Sequence, residues 1–272
     1  MNKKFISGYW YANAYEQFEN QTDDVEFFIK ILNKETDGTP LNILEVACGG
    51  GRISVPLARA GHCVTGFDAD EFALMRFYKK AANIPNISCC QVDAISDDWG
   101  TDFDVVVMAG NILINIETKI DYTEAQKLFI IKSAKALRRG GRLLLDYDQH
   151  SEASAIKFFN RLAENGSGRL GVEKEYSDDL GTIGKFKIYG GVYDPVTRIC
   201  TWASHRELKT NNGELIIEST TGYKHIPTFE QVNKWLDDAG FIIKKTYKNY
   251  TNEPLSENES DYVKATIWAE KK

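Results

Sequence analysis

The sequence predicts an α/β protein built on a doubly wound sheet of seven strands, with an antiparallel β cap inserted into it. Strand-like and helical segments alternate from about residue 42, as they do in a parallel sheet covered on both faces. Between residues 151 and 225 the pattern changes to long strands that hairpins join, and the alternation resumes afterwards. We therefore expect residues 1–150 and 226–272 to form the main domain and residues 151–225 to form the cap.

In the main domain, the predicted elements follow one another with short breaks. The segment 103–108 is apolar throughout, which indicates a strand at the centre of the sheet. Gly61 and the pair Gly140-Gly141 each follow a helical segment, where a residue without a side chain can adopt positive φ. Strands are expected at 42–47, 63–67, 86–92, 103–108 and 142–147, and helices at 52–60, 71–82 and 124–137.

The remaining elements are read from turn residues and caps. Asp194-Pro195 and Asn211-Asn212-Gly213 separate the long strands expected in the cap. Thr228 is suited to cap a helix that ends at Gly240. The expected cap strands are 182–193, 198–208 and 215–223, and two final strands, 242–247 and 262–269, form a hairpin through the polar loop 251–261.

Composition narrows the class of function. The chain has 272 residues and a net charge of −6, so it repels nucleic acid and anionic membranes unless a local basic patch intervenes. The five cysteines show no metal-ligand spacing, and neither a secretory leader nor an apolar run of membrane-spanning length is visible. We expect a cytoplasmic monomer or homodimer that acts on a small molecule.

A glycine-rich segment, Glu45-Val46-Ala47-Cys48-Gly49-Gly50-Gly51, joins the first strand to the first helix of the alternating pattern. Glycines there let a ligand approach the backbone amides. A dinucleotide fingerprint requires a third glycine where this chain has Ser54, which disfavours nicotinamide cofactors. Glu45 places a carboxylate beside the loop, which can hold loop amides, attract a ligand's ammonium group and repel a pyrophosphate.

Two further acids follow at strand ends. Asp68 can accept both hydroxyls of a ribose, and Asp93 can accept from the amino group of an adenine. An Asp at a strand end is also a common helix cap or solvated loop residue, and for Asp93 alone the capping role is equally well supported. Amine, ribose and adenine acceptors in this order match S-adenosylmethionine.

With these motifs, the sequence resembles the class I S-adenosylmethionine-dependent methyltransferases, which have a Rossmann-like fold. The resemblance rests on the segments 43–51, 66–68, 92–94, 103–106 and 140–145, and covers residues 40–150 best. It implies S-adenosylmethionine as cofactor. The cofactor-binding residues that it implies are Tyr15, Glu45, Ala47, Gly49, Gly51, Asp68, Ala69, Asp93, Ala94, Ala109 and Gly110.

A narrower resemblance links the chain to small-molecule N-methyltransferases of the glycine N-methyltransferase type. Val46-Ala47-Cys48-Gly49, Ala109-Gly110-Asn111 and Tyr223-Lys224-His225 carry it. The chain departs from this type at Asp148, where those enzymes hold the glycine carboxylate with an arginine, so we expect an amine or a hydroxyl-rich acceptor instead. The candidate catalytic residues are Asn111, Asp148, Tyr223 and His225, of which Asp148 or His225 is the candidate proton acceptor.

Three alternatives remain open at this stage. Asp146, Asp148 and His150 alternate along a strand end, a spacing that can hold a divalent metal for a magnesium-assisted O-methyltransferase, although a solvated strand end is the commoner reason for such a pattern. A non-catalytic S-adenosylmethionine-binding protein would keep the same glycine loop. A nicotinamide oxidoreductase is the third. Our leading interpretation is methyl transfer from S-adenosylmethionine to a nitrogen or oxygen of a small molecule.

Overall fold

In the computed structural model, residues 2–165, 175–256 and 261–272 are described, and the chain divides into two compact units. One unit combines Gln21–Gln149 with Pro227–Lys272, and the other combines Met1–Asn20 with His150–Ile226. Residues 1–20 were expected in the main domain, whereas the contacts of the folded chain group them with the second sheet.

The larger unit contains the expected seven-stranded α/β sheet. Its strand order is β10-β11-β5-β4-β1-β2-β3, and β1 to β5 run parallel while β11 pairs antiparallel with β5 and with β10. The apolar segment predicted to be central is central. The strands are β1 Asn42–Val46, β2 Cys63–Asp68, β3 Ile87–Gln91, β4 Phe103–Met108, β5 Leu137–Gln149, β10 Phe241–Lys248 and β11 Val263–Lys271.

Helices of this unit begin where polar side chains bind their free amide groups. Asp70 accepts from the amide of Phe72, and Thr228 forms a reciprocal capping box with Gln231. Apolar residues of α2 and α3 pack with β1 and β4 in one buried core. The helices are α2 Asp23–Glu35, α3 Ser54–Arg59, α4 Glu71–Ala81, α5 Tyr122–Ala136 and α7 Phe229–Asp238.

The junction between α5 and β5 differs from the expected helix, turn and short strand. The helix passes directly into a strand of thirteen residues that begins at Leu137, opposite Phe103 of β4. The register then shifts across Gly140-Gly141. Gly140 has φ +70°, and a Cβ on Gly141 would lie 2.9 Å from the carbonyl oxygen of Arg138, so the two glycines form an irregularity within the strand and do not precede it.

The smaller unit is built from two helices and an antiparallel sheet of order β6-β7-β8-β9. Trp10 of the first helix is fully buried, and its indole N–H donates to the carbonyl oxygen of Tyr176 at 3.0 Å. A Cβ on Gly184 would lie 2.8 Å from the Trp10 ring, so the glycine permits this packing. The elements are α1 Lys3–Phe18, α6 Glu152–Asn165, β6 Glu175–Ser177, β7 Ile183–Asp194, β8 Ile199–Lys209 and β9 Leu215–His225.

The three long cap strands lie within two residues of their expected ends, whereas β6, α2 and α6 were not expected. Part of the predicted polar loop, residues 257–260, lies outside the described residues. Among the helices that the structure describes, none is both long and apolar enough to cross a membrane.

Candidate active site

The glycine loop connects β1 to α3 in a tight turn at the carboxyl end of the sheet. Ala47, Gly49 and Gly51 adopt positive φ of +54°, +51° and +78°, and the Gly51 amide donates to the carbonyl oxygen of Cys48. Gly49 has open space where a side chain would lie. The turn therefore exposes backbone to which a ligand can come close.

Glu45 lies under this loop with 4% of its surface exposed, and the hydroxyl of Ser54 donates to its carboxylate. Burial raises the pKa of Glu45 to about 7, against the lowering effect of the Ser54 hydrogen bond. Ser54, which replaces the third glycine of a dinucleotide fingerprint, thus has a definite partner. The contact of Glu45 with a positively charged ligand group stays a prediction.

Asp68 is the carboxylate that binds the loop backbone. Its two oxygens accept from the amides of Gly49 at 2.8 Å and Asp70 at 2.9 Å, so one side chain connects the loop after β1 to the end of β2. Burial raises its pKa, and these backbone bonds oppose the shift. The carboxylate is half-buried beside the loop, and its contact with a ribose stays a prediction.

Asp93 performs the capping role that the sequence left open. One of its oxygens accepts from the amides of Ile95 at 2.8 Å and Ser96 at 3.1 Å, and these bonds lower its pKa. The carbonyl oxygen of neighbouring Ala94 accepts from Trp99 and Lys132. The contact of Asp93 and Ala94 with an adenine stays a prediction, on a turn that these bonds hold in place.

After β4, the chain turns through Gly110 and Asn111, which have φ of +70° and +65°. The Asn111 side chain is paired with Asp148 of β5: its amide donates to the carboxylate at 3.0 Å and its oxygen accepts from the Asp148 backbone N–H at 2.8 Å. The backbone N–H of Asn111 donates to Asp146 at 2.9 Å. Two acids of β5 therefore hold a left-handed asparagine, a conformation that is costly for a residue with a side chain.

Three residues from the hairpin of β10 and β11 complete this group, and the sequence analysis did not identify them. Tyr250 donates to Asp146 at 2.9 Å, while Tyr262 and Lys264 bind Asp148 at 3.1 and 2.9 Å. They lie more than a hundred residues from the acids, so no spacing rule connects them. We call Asn111, Asp146, Asp148, Tyr250, Tyr262 and Lys264 the acid clasp.

The two acids of the clasp differ in environment. Asp146 is 2% exposed, and burial raises its pKa to about 6 against the bonds from Asn111 and Tyr250. For Lys264, burial acts to lower the pKa, but the charge and hydrogen bond of Asp148 together with Tyr262 and Asp146 outweigh it, so the pKa is raised. Lys264 therefore stays protonated and forms an ion pair with Asp148.

The contacts of Asp148 bear on its two predicted roles, as a metal ligand and as a catalytic residue. Among the residues that the structure describes, no group of three acids, histidines or cysteines is arranged to hold a metal ion. His150, the third member of the alternating set, lies in the smaller unit and is hydrogen-bonded to Ser154. The carboxylate of Asp148 accepts from three side chains, so its position is fixed before any substrate arrives.

The other three predicted site residues belong to the smaller unit. His225, at the end of β9, is 4% exposed, and Tyr223 on the same strand is 48% exposed. Tyr15 of α1 is 45% exposed and packs edge-to-face against Phe18. Their roles as cofactor and acceptor contacts stay predictions.

The described residues of the glycine loop fit S-adenosylmethionine. The open space at Gly49 admits a ligand end, and the carboxyl groups of Glu45 and Asp68 lie beside it. A ligand that carries an ammonium and a sulfonium favours the ionised form of both groups. A pyrophosphate at the same place would meet two carboxylates. The two carboxyl groups thus favour the cationic cofactor over a dinucleotide.

Known proteins similar to this chain include methyltransferases. Residues 43–141 match the family described as a methyltransferase domain. The protein YqeM of Bacillus subtilis, named as a methyltransferase without an established activity, is 27% identical over 232 residues, which are 82% of this chain and 83% of that protein.

Solved structures share the fold over almost the whole chain. An S-adenosylmethionine-dependent methyltransferase from Clostridium acetobutylicum matches with a TM-score of 0.68 and 15% identity, covering 96% of this chain and 97% of that one. The sugar N-methyltransferase KedS8 from Streptoalloteichus matches with a TM-score of 0.67 and 14% identity, covering 91% and 86%. At these identities the likeness shows the fold.

Proposed function

We propose that this S-adenosylmethionine-dependent methyltransferase transfers the methyl group to a nitrogen or oxygen of a small, amine-bearing or hydroxyl-rich molecule. The observation that carries the proposal is the bond between Asp68 and the Gly49 amide, which connects the glycine loop to the acid at the end of β2. In this proposal, the glycine loop and the turn after β4 bind the methionine part of the cofactor, and that turn also contacts the acceptor through Asn111. The ribose and the adenine are bound at the ends of β2 and β3. The residues assigned are Glu45, Ala47, Gly49, Gly51, Ala109 and Gly110 for methionine, Asp68 and Ala69 for the ribose, and Asp93 and Ala94 for the adenine.

Methyl transfer from a sulfonium is a displacement in which the acceptor atom attacks the methyl carbon and the positive charge on sulfur disappears. The bound cofactor supplies the methyl group, and the protein mainly has to align acceptor, methyl carbon and sulfur. Rigid residues at the carboxyl ends of β4 and β5 suit this task. An ammonium acceptor must first lose a proton, and the proposed proton acceptors are Asp148 and His225.

The charge of the acid clasp favours an acceptor with an amine or a hydroxyl group over one with a carboxylate. Asp146 and Asp148 provide two carboxylates against the single ammonium of Lys264. An acceptor with a carboxylate, such as glycine, is repelled there, whereas an amine or a hydroxyl group finds hydrogen-bond acceptors. The sugar N-methyltransferase among the structural relatives favours an amine on a hydroxyl-rich body. Tyr15, Tyr223 and His225 are kept in the proposal as residues that contact the cofactor or the acceptor.

Calorimetry with S-adenosylhomocysteine tests the cofactor half of the proposal. We expect saturable binding at micromolar ligand, and no binding at millimolar ligand overturns the assignment. Matched acceptors then test the other half: an amino sugar, its N-acetyl derivative and glycine, each incubated with methyl-labelled cofactor. Label on the amino sugar alone assigns a nitrogen acceptor, label on both sugars assigns an oxygen, and label on glycine alone contradicts the proposed acceptor class.

A further inference from the structure

The C-terminal hairpin contributes side chains to the acid clasp, although it lies far along the chain from the acids that it binds. Tyr250 follows β10 and has φ +55°, directly after Asn249 with φ +52°. Two consecutive left-handed residues turn the chain so that the tyrosine hydroxyl reaches the carboxylate of Asp146. Such a conformation costs free energy in residues other than glycine, and it needs compensation by the contacts that it makes.

The Tyr250 ring is held from several sides. It packs edge-to-face against Phe28 of α2 with 5.8 Å between ring centroids, and the Lys264 ammonium lies 5.9 Å from its centroid. Phe28 is fully buried. The hydroxyl group is therefore presented to Asp146 by a rigid support and is not a mobile surface group.

A continuous series of hydrogen bonds leads from this tyrosine to the turn after β4. Tyr250 binds one oxygen of Asp146, and the other oxygen accepts from the backbone N–H of Asn111. Asp148, two residues further along β5, holds the side chain of the same asparagine, and Lys264 fixes Asp148. The left-handed turn at Gly110 and Asn111 is thereby held at its backbone and at its side chain.

We propose that Tyr250 is a positioning residue that keeps the turn at Gly110 and Asn111 in its binding conformation by holding the carboxylate of Asp146. This inference rests on the proposed function, in which that turn contacts the cofactor and the acceptor. The tyrosine acts through Asp146 and is assigned no contact with either ligand. Its hydroxyl group limits the freedom of Asp146, whose remaining oxygen then fixes the Asn111 amide.

Tyr247 provides a matched control. It lies on the same hairpin, three residues before Tyr250, and both rings line a cavity of about 220 Å³ beside α2. Its ring also packs against Phe27, but its hydroxyl has no hydrogen-bond partner among the described residues. Tyr247→Phe and Tyr250→Phe remove the same atom from similar surroundings, and only the second breaks the series of hydrogen bonds.

The test is calorimetry with S-adenosylhomocysteine on the full chain and both variants, between pH 5.5 and pH 8.5, with thermal unfolding measured in parallel. At neutral pH we expect Tyr250→Phe to weaken binding about tenfold, the size expected for a lost hydrogen bond to a charged group, and Tyr247→Phe to leave it unchanged. Equal affinities for the two variants overturn the proposal. Lower thermal stability with unchanged affinity assigns Tyr250 a structural role alone and also overturns it.

The pH profile gives a readout that a structural role does not change. Asp146 is faced by Tyr250, Asn111, Asp148 and Lys264, and the Tyr250 bond lowers its pKa. Without that bond Asp146 takes up a proton at higher pH, so the loss of affinity on acidification must begin at higher pH in Tyr250→Phe than in Tyr247→Phe. Coincident profiles contradict the inference. Failure of the unsubstituted protein to bind at any pH instead rejects the proposed function itself.

Discussion

The two halves of the seven-stranded sheet hold their acids in different ways. At the ends of β1 and β2, the acids bind groups at most nineteen residues away in the sequence: Glu45 binds Ser54, and Asp68 binds Gly49 and Asp70. At the end of β5, Asp146 and Asp148 bind Asn111 and a hairpin more than a hundred residues further on. The first half is a local motif, and the second exists only when the sheet is assembled.

This comparison predicts different consequences of mutation. In the first half, substitutions change single bonds to loop amides and a single buried charge. In the second half, they change a network whose members support one another, so the effects of two substitutions should not add.

The largest expected effect is on stability, from Glu45→Gln. Burial raises the pKa of Glu45 to about 7. Between roughly pH 4.5 and pH 7, the folded state therefore holds a proton that the unfolded state releases. The free energy of unfolding falls as the pH rises through this range. Glutamine removes this dependence and keeps a hydrogen-bond acceptor for Ser54. We expect equal stability at pH 5 and a variant more stable by about 3 kcal/mol at pH 8.

Urea unfolding of the ligand-free protein at the two pH values measures this difference. The same variant should bind S-adenosylhomocysteine more weakly at pH 8, because it lacks the charge that attracts the ligand's ammonium group. A stability difference that does not change with pH would show that Glu45 does not titrate in this range.

The next effect is on cofactor binding, from Asp68→Asn. An asparagine can accept from only one of the two amides and turns an NH₂ group toward the other, so we expect affinity for S-adenosylhomocysteine to fall about thirtyfold. Asp70→Asn is the matched control, because the Asp70 side chain lies outside the proposed binding residues and accepts a single bond, from the Phe72 amide, which an asparagine cap keeps. Calorimetry at pH 7.5 measures the affinity of both variants for S-adenosylhomocysteine. Equal losses of affinity would contradict the role of the Asp68 bonds in cofactor binding.

The smallest expected effect tests the network itself, through a double-mutant cycle of Lys264→Met and Asp148→Asn. The side chains of Lys264 and Asp148 are 30% and 26% exposed, so their ion pair is partly screened. We expect a coupling free energy of about 1 kcal/mol, measured by urea unfolding of the two single variants and the double variant. Additive effects would mean that the long-range half is no more cooperative than the local half.

Which site residues and contacts could be predicted from the sequence follows the same division into local and long-range contacts. Glu45, Asp68 and the glycine loop were recognisable because their types and short spacing are repeated in proteins that hold a nucleoside at strand ends. Asp93 is in a turn-capping role, which the sequence had left as an open alternative. Asn111 and Asp148 were selected by resemblance, but that their side chains are hydrogen-bonded to each other became visible only when β4 and β5 were seen side by side.

The alternation of strands and helices, the glycine turn and the acids that follow it were determined by the sequence, because they depend on side-chain periodicity and on backbone preferences over a few residues. The tertiary structure decided that Tyr250, Tyr262 and Lys264 reach the acids of β5, and that residues 1–20 group with the second sheet. Those contacts join segments far apart along the chain. Their geometry arises from strand order and packing, which leave no regular spacing in the sequence.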